Sequence, residues 1–150
     1  LIYTHHHMFS SMFLLFGHLT HPLLLVQVFG ADLDETVLFS ENRIKTMQIN
    51  QLKPGTYHNV FRSLGQVDII IDDGLHSFGA NLNTVVHGLP FLRGGGWLIV
   101  EDIKKTKVVM GAWKVADALL STDQTLERYF IDCGEEKSAS QMYAIRKKVA

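Results

Sequence analysis

The pattern of apolar and polar residues after position 26 alternates between two periods. Short β-branched runs, which predict strands, are followed by segments whose apolar residues recur every three to four positions, which predict helices. The predicted strands are 26–32, 43–49, 67–72, 97–100, 125–133 and 141–147. The predicted helices are 57–64, 77–89 with Ser77 as N-cap, and 108–120, with one or two helical turns within 35–41.

Strands that alternate with helices predict an α/β fold in which a mainly parallel sheet has helices on both faces. No helix separates the strands predicted at 125–133 and 141–147, so we expect them to pair as an antiparallel hairpin at one edge of the sheet. No repeat, low-complexity segment or linker interrupts this pattern after residue 27. Residues 28–150 are therefore interpreted as one domain.

Residues 1–27 differ from the rest of the chain. They carry five of the eight histidines but no acidic residue, lysine or arginine. Proline, glycine and polar residues interrupt the apolar run at 8–28, which makes it a poor membrane span. We interpret residues 1–27 as an atypical segment that is either non-native or disordered.

The charge balance and the cysteine content exclude several function classes. Lys and Arg total 14 and Asp and Glu total 15, so a net charge of -1 gives no attraction to nucleic acid or to an anionic membrane. The one cysteine, Cys133, excludes an internal disulfide and a cysteine-based zinc site. A reducing compartment is consistent with this content, and we expect a cytoplasmic protein.

Acidic residues follow three of the predicted strands. Ligands of open α/β sheets bind outside the carboxyl ends of the strands, where these side chains would converge. Several carboxylates at one edge repel each other unless a cation holds them, and their hard oxygens suit Mg²⁺, Mn²⁺ or Ca²⁺. The alternative is that they cap helices or face solvent. The residues are Asp32, Asp34, Asp72, Asp73, Glu101 and Asp102.

A histidine accompanies the second of these acidic pairs. His76 follows Asp73 by three residues, and Gly74 between them permits a tight turn that aims the imidazole back at the carboxylates. A histidine in this position can take a proton from a substrate hydroxyl at neutral pH. The alternative is a loop histidine that caps the next helix.

Three runs of sequence resemble one enzyme family. FGADLD at 29–34, VDIIIDDGLHS at 67–77 and LRGGGWLIVED at 92–102 are similar to the metal-dependent macrolide-sugar O-methyltransferases of the mycinamicin and demethylmacrocin types. The resemblance extends over about residues 29–145. It implies the Rossmann-like fold of class I S-adenosylmethionine-dependent methyltransferases, with its C-terminal antiparallel hairpin.

The resemblance also implies cofactor-binding residues. Asp32 corresponds to the acidic residue that holds the ribose hydroxyls of S-adenosylmethionine. Asn50 stands where the family has an aspartate on the adenine side, and its amide still forms hydrogen bonds. Asp72 completes the expected cofactor-binding set.

The same resemblance assigns the catalytic chemistry. Asp73, Glu101 and Asp102 correspond to the ligands of Mg²⁺ or Mn²⁺, and His76 corresponds to the general base. The implied reaction transfers a methyl group to a hydroxyl of a small molecule, a sugar or a glycosylated natural product. The family often forms homo-oligomers.

One family feature has no counterpart in this sequence. The family's first strand, normally central in the sheet, and its glycine-rich loop should precede Phe29 by about one strand-helix unit. We therefore expect a fragment of the domain that lacks this unit. Two alternatives stay open: an inactive or truncated methyltransferase-like domain without catalysis, and a metal-dependent enzyme of other chemistry on the same scaffold.

Overall fold

The described residues form a single sheet of eight strands. The computed structural model describes residues 11–16, 26–134 and 140–149. The strand order across the sheet is β3-β4-β2-β1-β5-β6-β8-β7. The strands are β1 Ser11–Phe16, β2 Gln27–Asp32, β3 Ser40–Glu41, β4 Ile44–Gln48, β5 Val67–Asp73, β6 Leu92–Lys104, β7 Leu126–Asp132 and β8 Ser140–Lys147.

Three α-helices connect these strands, with 3₁₀ turns at Glu35–Val37 and Leu89–Phe91. The helices are α1 Pro54–Leu64, α2 Phe78–Gly88 and α3 Lys107–Leu120. Ser77 is the N-cap of α2, as predicted, and its hydroxyl accepts a hydrogen bond from the backbone N–H of Ala80. Helix α1 begins three residues before its predicted start, because Pro54 occupies the first turn, where its missing N–H costs nothing. No helix within the described ranges is long and apolar enough to cross a membrane.

All three helices pack on one face of the sheet. On that face, the fully buried side chains of Ile70, Leu98 and Ile145 lie in one row across β5, β6 and β8. Helix α3 covers the neighbouring row, where Trp113 contacts the ring of Tyr143. Helix α1 packs against α2 on the same face. The hydroxyl groups of Tyr57 in α1 and Thr84 in α2 form a hydrogen bond of 2.9 Å.

The prediction of helices on both faces was therefore wrong for the described residues. The physical reason is the short connection between β2 and β4, which contains only the 3₁₀ turn Glu35–Val37 and the two-residue strand β3. A connection of this length cannot form the longer crossover helix that usually covers the second face.

The centre of the sheet differs from the prediction that the first strand is missing. Strand β1 lies between β2 and β5 and pairs antiparallel with both. Without it, the facing edges of β2 and β5 would leave a row of backbone N–H and C=O groups unpaired. The apolar sequence SMFLLF fills this position, although its direction is opposite to that of its neighbours. Residues 1–10 and 17–25 of the predicted atypical segment lie outside the described residues.

The sheet is parallel in part. Strands β2, β4, β5, β6 and β7 run in one direction, but among the described strands only β2–β4 and β5–β6 pair in parallel. The predicted C-terminal hairpin is confirmed, since β7 and β8 pair antiparallel at the edge of the sheet. Most of the turn between these two strands lies outside the described residues.

Candidate active site

The consecutive residues Asp72 and Asp73 end β5 but occupy different environments. Successive side chains of a strand point to opposite faces, so the two carboxylates are separated by the sheet itself. Asp72 points to the helix-covered face and is fully buried. The side chain of Asp73 is 45% exposed at the carboxyl end of β5. The strand therefore gives only the second carboxylate access to a ligand.

Asp72 is satisfied by protein donors. One carboxylate oxygen accepts hydrogen bonds from the side-chain amide of Gln51 at 2.7 Å and from the backbone N–H of Gly74 at 3.2 Å. The other oxygen accepts from Asn81 of α2 at 3.1 Å. A buried carboxylate needs such donors, because burial removes its hydration. Asp72 therefore cannot contact a cofactor in this arrangement. Its hydrogen bonds fix the start of the loop after β5.

Gln51 connects this buried carboxylate to the backbone of the loop. Its side-chain oxygen accepts a hydrogen bond from the N–H of Leu75 at 2.7 Å. The amide lies against Gly74, where an added Cβ would stand 2.2 Å from that oxygen. Gly74 is thus required for close approach by Gln51. Gly74 itself does not have a positive φ, and in this loop the positive φ occurs at His76, with a value of 48°.

The loop brings His76 beside two carboxylates. Its Nε2 atom lies 3.7 Å from an oxygen of Asp73, and the imidazole is 35% exposed. Potential ligand atoms of Asp73, His76 and Asp102 all lie within 4.8 Å of one another. Capping of α2 belongs to Ser77, so the alternative in which His76 caps that helix is excluded. Asp73 and Asp102 therefore converge as predicted.

A bulge in β6 positions the second acidic pair. Strand β6 continues to Lys104, beyond its predicted end at residue 100, and its register with β8 shifts between Val100 and Ile103. Such an extra residue bends the strand and re-aims its side chains. Asp102 has φ of 50°, a left-handed conformation that is uncommon for residues other than glycine. Glu101 stands outside the three-residue cluster but interacts with it electrostatically.

The pKa values of two carboxyl groups are raised at this site. Burial raises the pKa of Asp73 above its ordinary value, and repulsion from Asp102 and Asp72 adds to it, while His76 acts in the opposite direction. Burial likewise raises the pKa of Glu101, with repulsion from Asp73 and Asp102. Partly buried like charges disfavour ionisation, and a bound cation would relieve them. The hard-oxygen donor set therefore fits Mg²⁺ or Mn²⁺.

A small apolar cavity lies beside the carboxylates. It has a volume of about 190 Å³ and is formed by the residues that follow β2 and β4 together with the loop after β5. Its lining residues are Ala31, Leu33, Ile49, Asn50, Gln51, Leu52 and Leu75. Asn50 is thus placed in the cavity wall. Asp32 lies between two lining residues, and its carboxylate accepts a hydrogen bond from the N–H of Asp34 at 2.9 Å.

Sequence comparison identifies relatives with one kind of activity. The chain is 34% identical over 77 residues to the demethylmacrocin O-methyltransferase of Streptomyces fradiae, which is 51% of this chain and 19% of that protein. It is 35% identical over 78 residues to the mycinamicin VI 2''-O-methyltransferase of Micromonospora griseorubida, again 51% of this chain and 19% of the relative. The predicted resemblance is confirmed. No protein-family model matches the chain.

The solved structures give the same fold. The methyltransferase MycE of mycinamycin biosynthesis, in complex with Mg and SAH, has a TM-score of 0.60 at 20% identity over 81% of this chain and 36% of MycE. A complex that also contains mycinamycin VI has a TM-score of 0.59 at the same identity and coverage. The chain thus has the Rossmann-like methyltransferase fold. It spans about one fifth of the length of the curated relatives it matches.

The sequence prediction missed two residues that form hydrogen bonds with Asp72 at the site. Gln51 and Asn81 contact Asp72 from positions 21 and 9 residues away in the chain. Neither residue belongs to a motif, and nothing local in the sequence pairs them with Asp72. The only available signal is that a buried carboxylate at the end of a central strand must find donors.

Proposed function

We propose that this chain carries the site of an S-adenosylmethionine-dependent, divalent-metal-assisted O-methyltransferase that acts on a hydroxyl of a small molecule, a sugar or a glycosylated natural product. The observation that carries the proposal is the convergence of Asp73, His76 and Asp102 at the edge of a methyltransferase sheet. Relatives of this chain are named for methyl transfer to such molecules. The proposed location is the cytoplasm.

Each residue at the edge of the sheet has a distinct proposed role. Asp73, Glu101 and Asp102 would hold the cation, which would lower the pKa of a substrate hydroxyl bound beside it. His76 accepts the hydroxyl proton at Nε2, and the neighbouring Asp73 carboxylate, 3.7 Å away, stabilises the imidazolium that results. The hydroxyl oxygen would then attack the methyl group in line as the bond from the methyl carbon to the cofactor sulfur breaks, which releases S-adenosylhomocysteine, and alignment of the two reactants would supply much of the rate.

The proposed cofactor site is the cavity beside these residues. Its apolar wall suits a flat adenine ring, and Asn50 offers an amide for hydrogen bonds at the ring edge. Asp32 would accept hydrogen bonds from the ribose hydroxyls at the end of β2. S-adenosylmethionine supplies the methyl group when bound. We assign Asp72 to positioning of the loop, because its oxygens already accept three hydrogen bonds.

The test of this proposal is calorimetric titration of S-adenosylmethionine into the purified chain, with and without Mg²⁺. We expect saturable binding that is lost in Asp32→Ala. The matched control is Asp123→Ala, because Asp123 is an exposed aspartate that, like Asp32, accepts a hydrogen bond from the backbone N–H two residues later. Absence of binding by a folded wild-type chain would contradict the proposal.

One observation favours the second candidate, a methyltransferase-like domain without catalysis. Because strand β1 runs antiparallel to β5, the residue that lies opposite Asp73 is Ser11, the first residue of β1. A strand parallel to β5 would have its last residue at this position. In the family, the loop that follows the first strand occupies this edge and contacts the cofactor. A folded chain that binds Mg²⁺ but no S-adenosylmethionine would support this second candidate. Methyl transfer separates the proposal from a metal-dependent enzyme of other chemistry.

A further inference from the structure

We propose that Gln51 is a positioning residue for the carboxylate site, and that its side chain fixes the loop that carries Asp73 and His76. This inference rests on the proposed function, because it concerns how the metal-binding and proton-accepting groups are held. Gln51 itself is 8% exposed and sits beneath the loop. Gln51 therefore acts on the metal-binding and proton-accepting groups through the loop and not by direct contact with the metal or the substrate.

The side-chain amide of Gln51 is hydrogen-bonded at both of its ends. Its nitrogen donates to the buried Asp72 carboxylate at 2.7 Å, and its oxygen accepts from the N–H of Leu75 at 2.7 Å. The two contacts flank Asp73 on the chain. A planar amide that is bonded at both ends has one orientation, so it sets the distance between the end of β5 and the loop backbone.

The position of Gln51 is itself constrained. Its backbone carbonyl accepts a hydrogen bond from the side chain of Asn83 in α2 at 2.8 Å. The glycine at position 74 leaves space for the amide, since any Cβ there would overlap it. Helix α2, strand β5 and the segment after β4 are therefore joined at this one residue, through its backbone carbonyl and its side-chain amide.

The loop needs such a constraint because His76 has a positive φ. A residue other than glycine keeps this conformation only where its surroundings over-determine it. The N–H that Gln51 holds belongs to Leu75, the residue directly before His76. Loss of this contact should let the loop relax, and the ligand atoms would no longer converge. Mutation of a residue that orients metal ligands in this way typically lowers the metal affinity by 10–100-fold.

The experiment compares Mn²⁺ affinity and amide exchange in four proteins. Gln51→Met keeps the length of the side chain but removes its hydrogen bonds to the Asp72 carboxylate and to the Leu75 N–H. Gln124→Met is the matched control, because Gln124 is exposed and its side-chain amide donates to the carbonyl of Ser121, far from the site in the chain. Asp73→Asn removes a proposed ligand. Mn²⁺ binding is measured by calorimetry, and exchange of the Leu75 amide is followed by NMR in the metal-free protein.

We expect Gln51→Met to weaken Mn²⁺ binding at least tenfold and to accelerate exchange at Leu75. Gln124→Met should match the wild type in both measurements, and Asp73→Asn should lose Mn²⁺ binding. Mn²⁺ affinity within twofold of the wild type in folded Gln51→Met would overturn the inference. If Gln51→Met fails to fold, Asn83→Ala replaces it, with the same changes expected in weaker form and with their absence counting against the inference.

Failure of the proposed function gives a different result. A wild-type chain that binds no Mn²⁺ would contradict the metal site, whatever the variants do. The positioning role would then be decided by amide exchange alone, where faster exchange of Leu75 in Gln51→Met supports it and unchanged exchange overturns it. The two claims are thereby separated within one set of samples.

Discussion

Replacement of Gly74 by alanine should destabilise the protein through one side chain. The backbone of Gly74 does not have a positive φ, so alanine can adopt it without strain. The added Cβ would lie 2.2 Å from the side-chain oxygen of Gln51 and 2.5 Å from its Cδ and Nε2 atoms. Ordinary contacts begin at 3.4 Å, so the amide must retreat by about 1 Å.

The cost follows from the two hydrogen bonds that this movement breaks. The bond to the Asp72 carboxylate is worth about 1.5–3 kcal/mol, and the bond to the Leu75 N–H is worth about 0.5–1.5 kcal/mol. We therefore expect Gly74→Ala to lower the free energy of unfolding by about 2–4 kcal/mol. Gly79→Ala is the matched control, because its Cβ meets nothing within 4 Å in helix α2. There alanine should stabilise the protein by about 0.4–1 kcal/mol.

The assay is urea unfolding of the metal-free protein, followed by the fluorescence of the tryptophans, of which Trp113 is 1% exposed when folded. A double-mutant cycle with Gln51→Ala isolates the overlap. In that background the same change at Gly74 should cost less than about 0.5 kcal/mol, since no amide remains to be displaced. An equal cost of Gly74→Ala in both backgrounds would refute the reasoning, as would a cost in the wild type below about 0.5 kcal/mol.

Three further predictions concern the charges and the core. Asp73→Asn should raise the free energy of unfolding of the metal-free protein at pH 7 by up to about 1 kcal/mol, because the folded state raises the pKa of this half-exposed carboxyl. The gain should shrink as the pH falls and vanish below about pH 3, where Asp73 is protonated in both the folded and the unfolded state; a gain that persists there would contradict the prediction. The increase in Tm caused by Mg²⁺ should grow from pH 5 to pH 8, because the raised pKa values of Asp73 and Glu101 make protons compete with the cation at low pH. Trp113→Ala should cost about 3–5 kcal/mol in urea unfolding, since the ring is buried between Phe78 and Tyr143; a loss under about 1 kcal/mol would exclude this packing.

The sequence predicts those parts of the fold that depend on local patterns. Strand β5 is a β-branched run, and α2 begins after a capping serine, so both follow from periodicity and end signals. The antiparallel direction of β1 does not, because it is decided by pairing with strands far away in the chain. The single helix-covered face likewise depends on connections that form no described helix.

The candidate site is predictable to the same extent. The convergence of Asp73 and Asp102 follows from the rule that ligands bind at the carboxyl ends of parallel strands. The bulge that re-aims Asp102 does not follow, since a register shift depends on how β8 pairs with β6. The burial of Asp72 and its link to Gln51 require three-dimensional neighbours that no spacing in the sequence reveals.

The measurement that tests the central claim most directly is transfer of the labelled methyl group of S-adenosylmethionine to a rhamnoside or a glycosylated macrolide, with Mg²⁺ and with EDTA. The account predicts incorporation that needs Mg²⁺, that EDTA abolishes, and that Asp73→Asn loses. Incorporation that is equal in EDTA would contradict the metal-assisted site, and so would the absence of transfer by a chain that binds both S-adenosylmethionine and Mg²⁺.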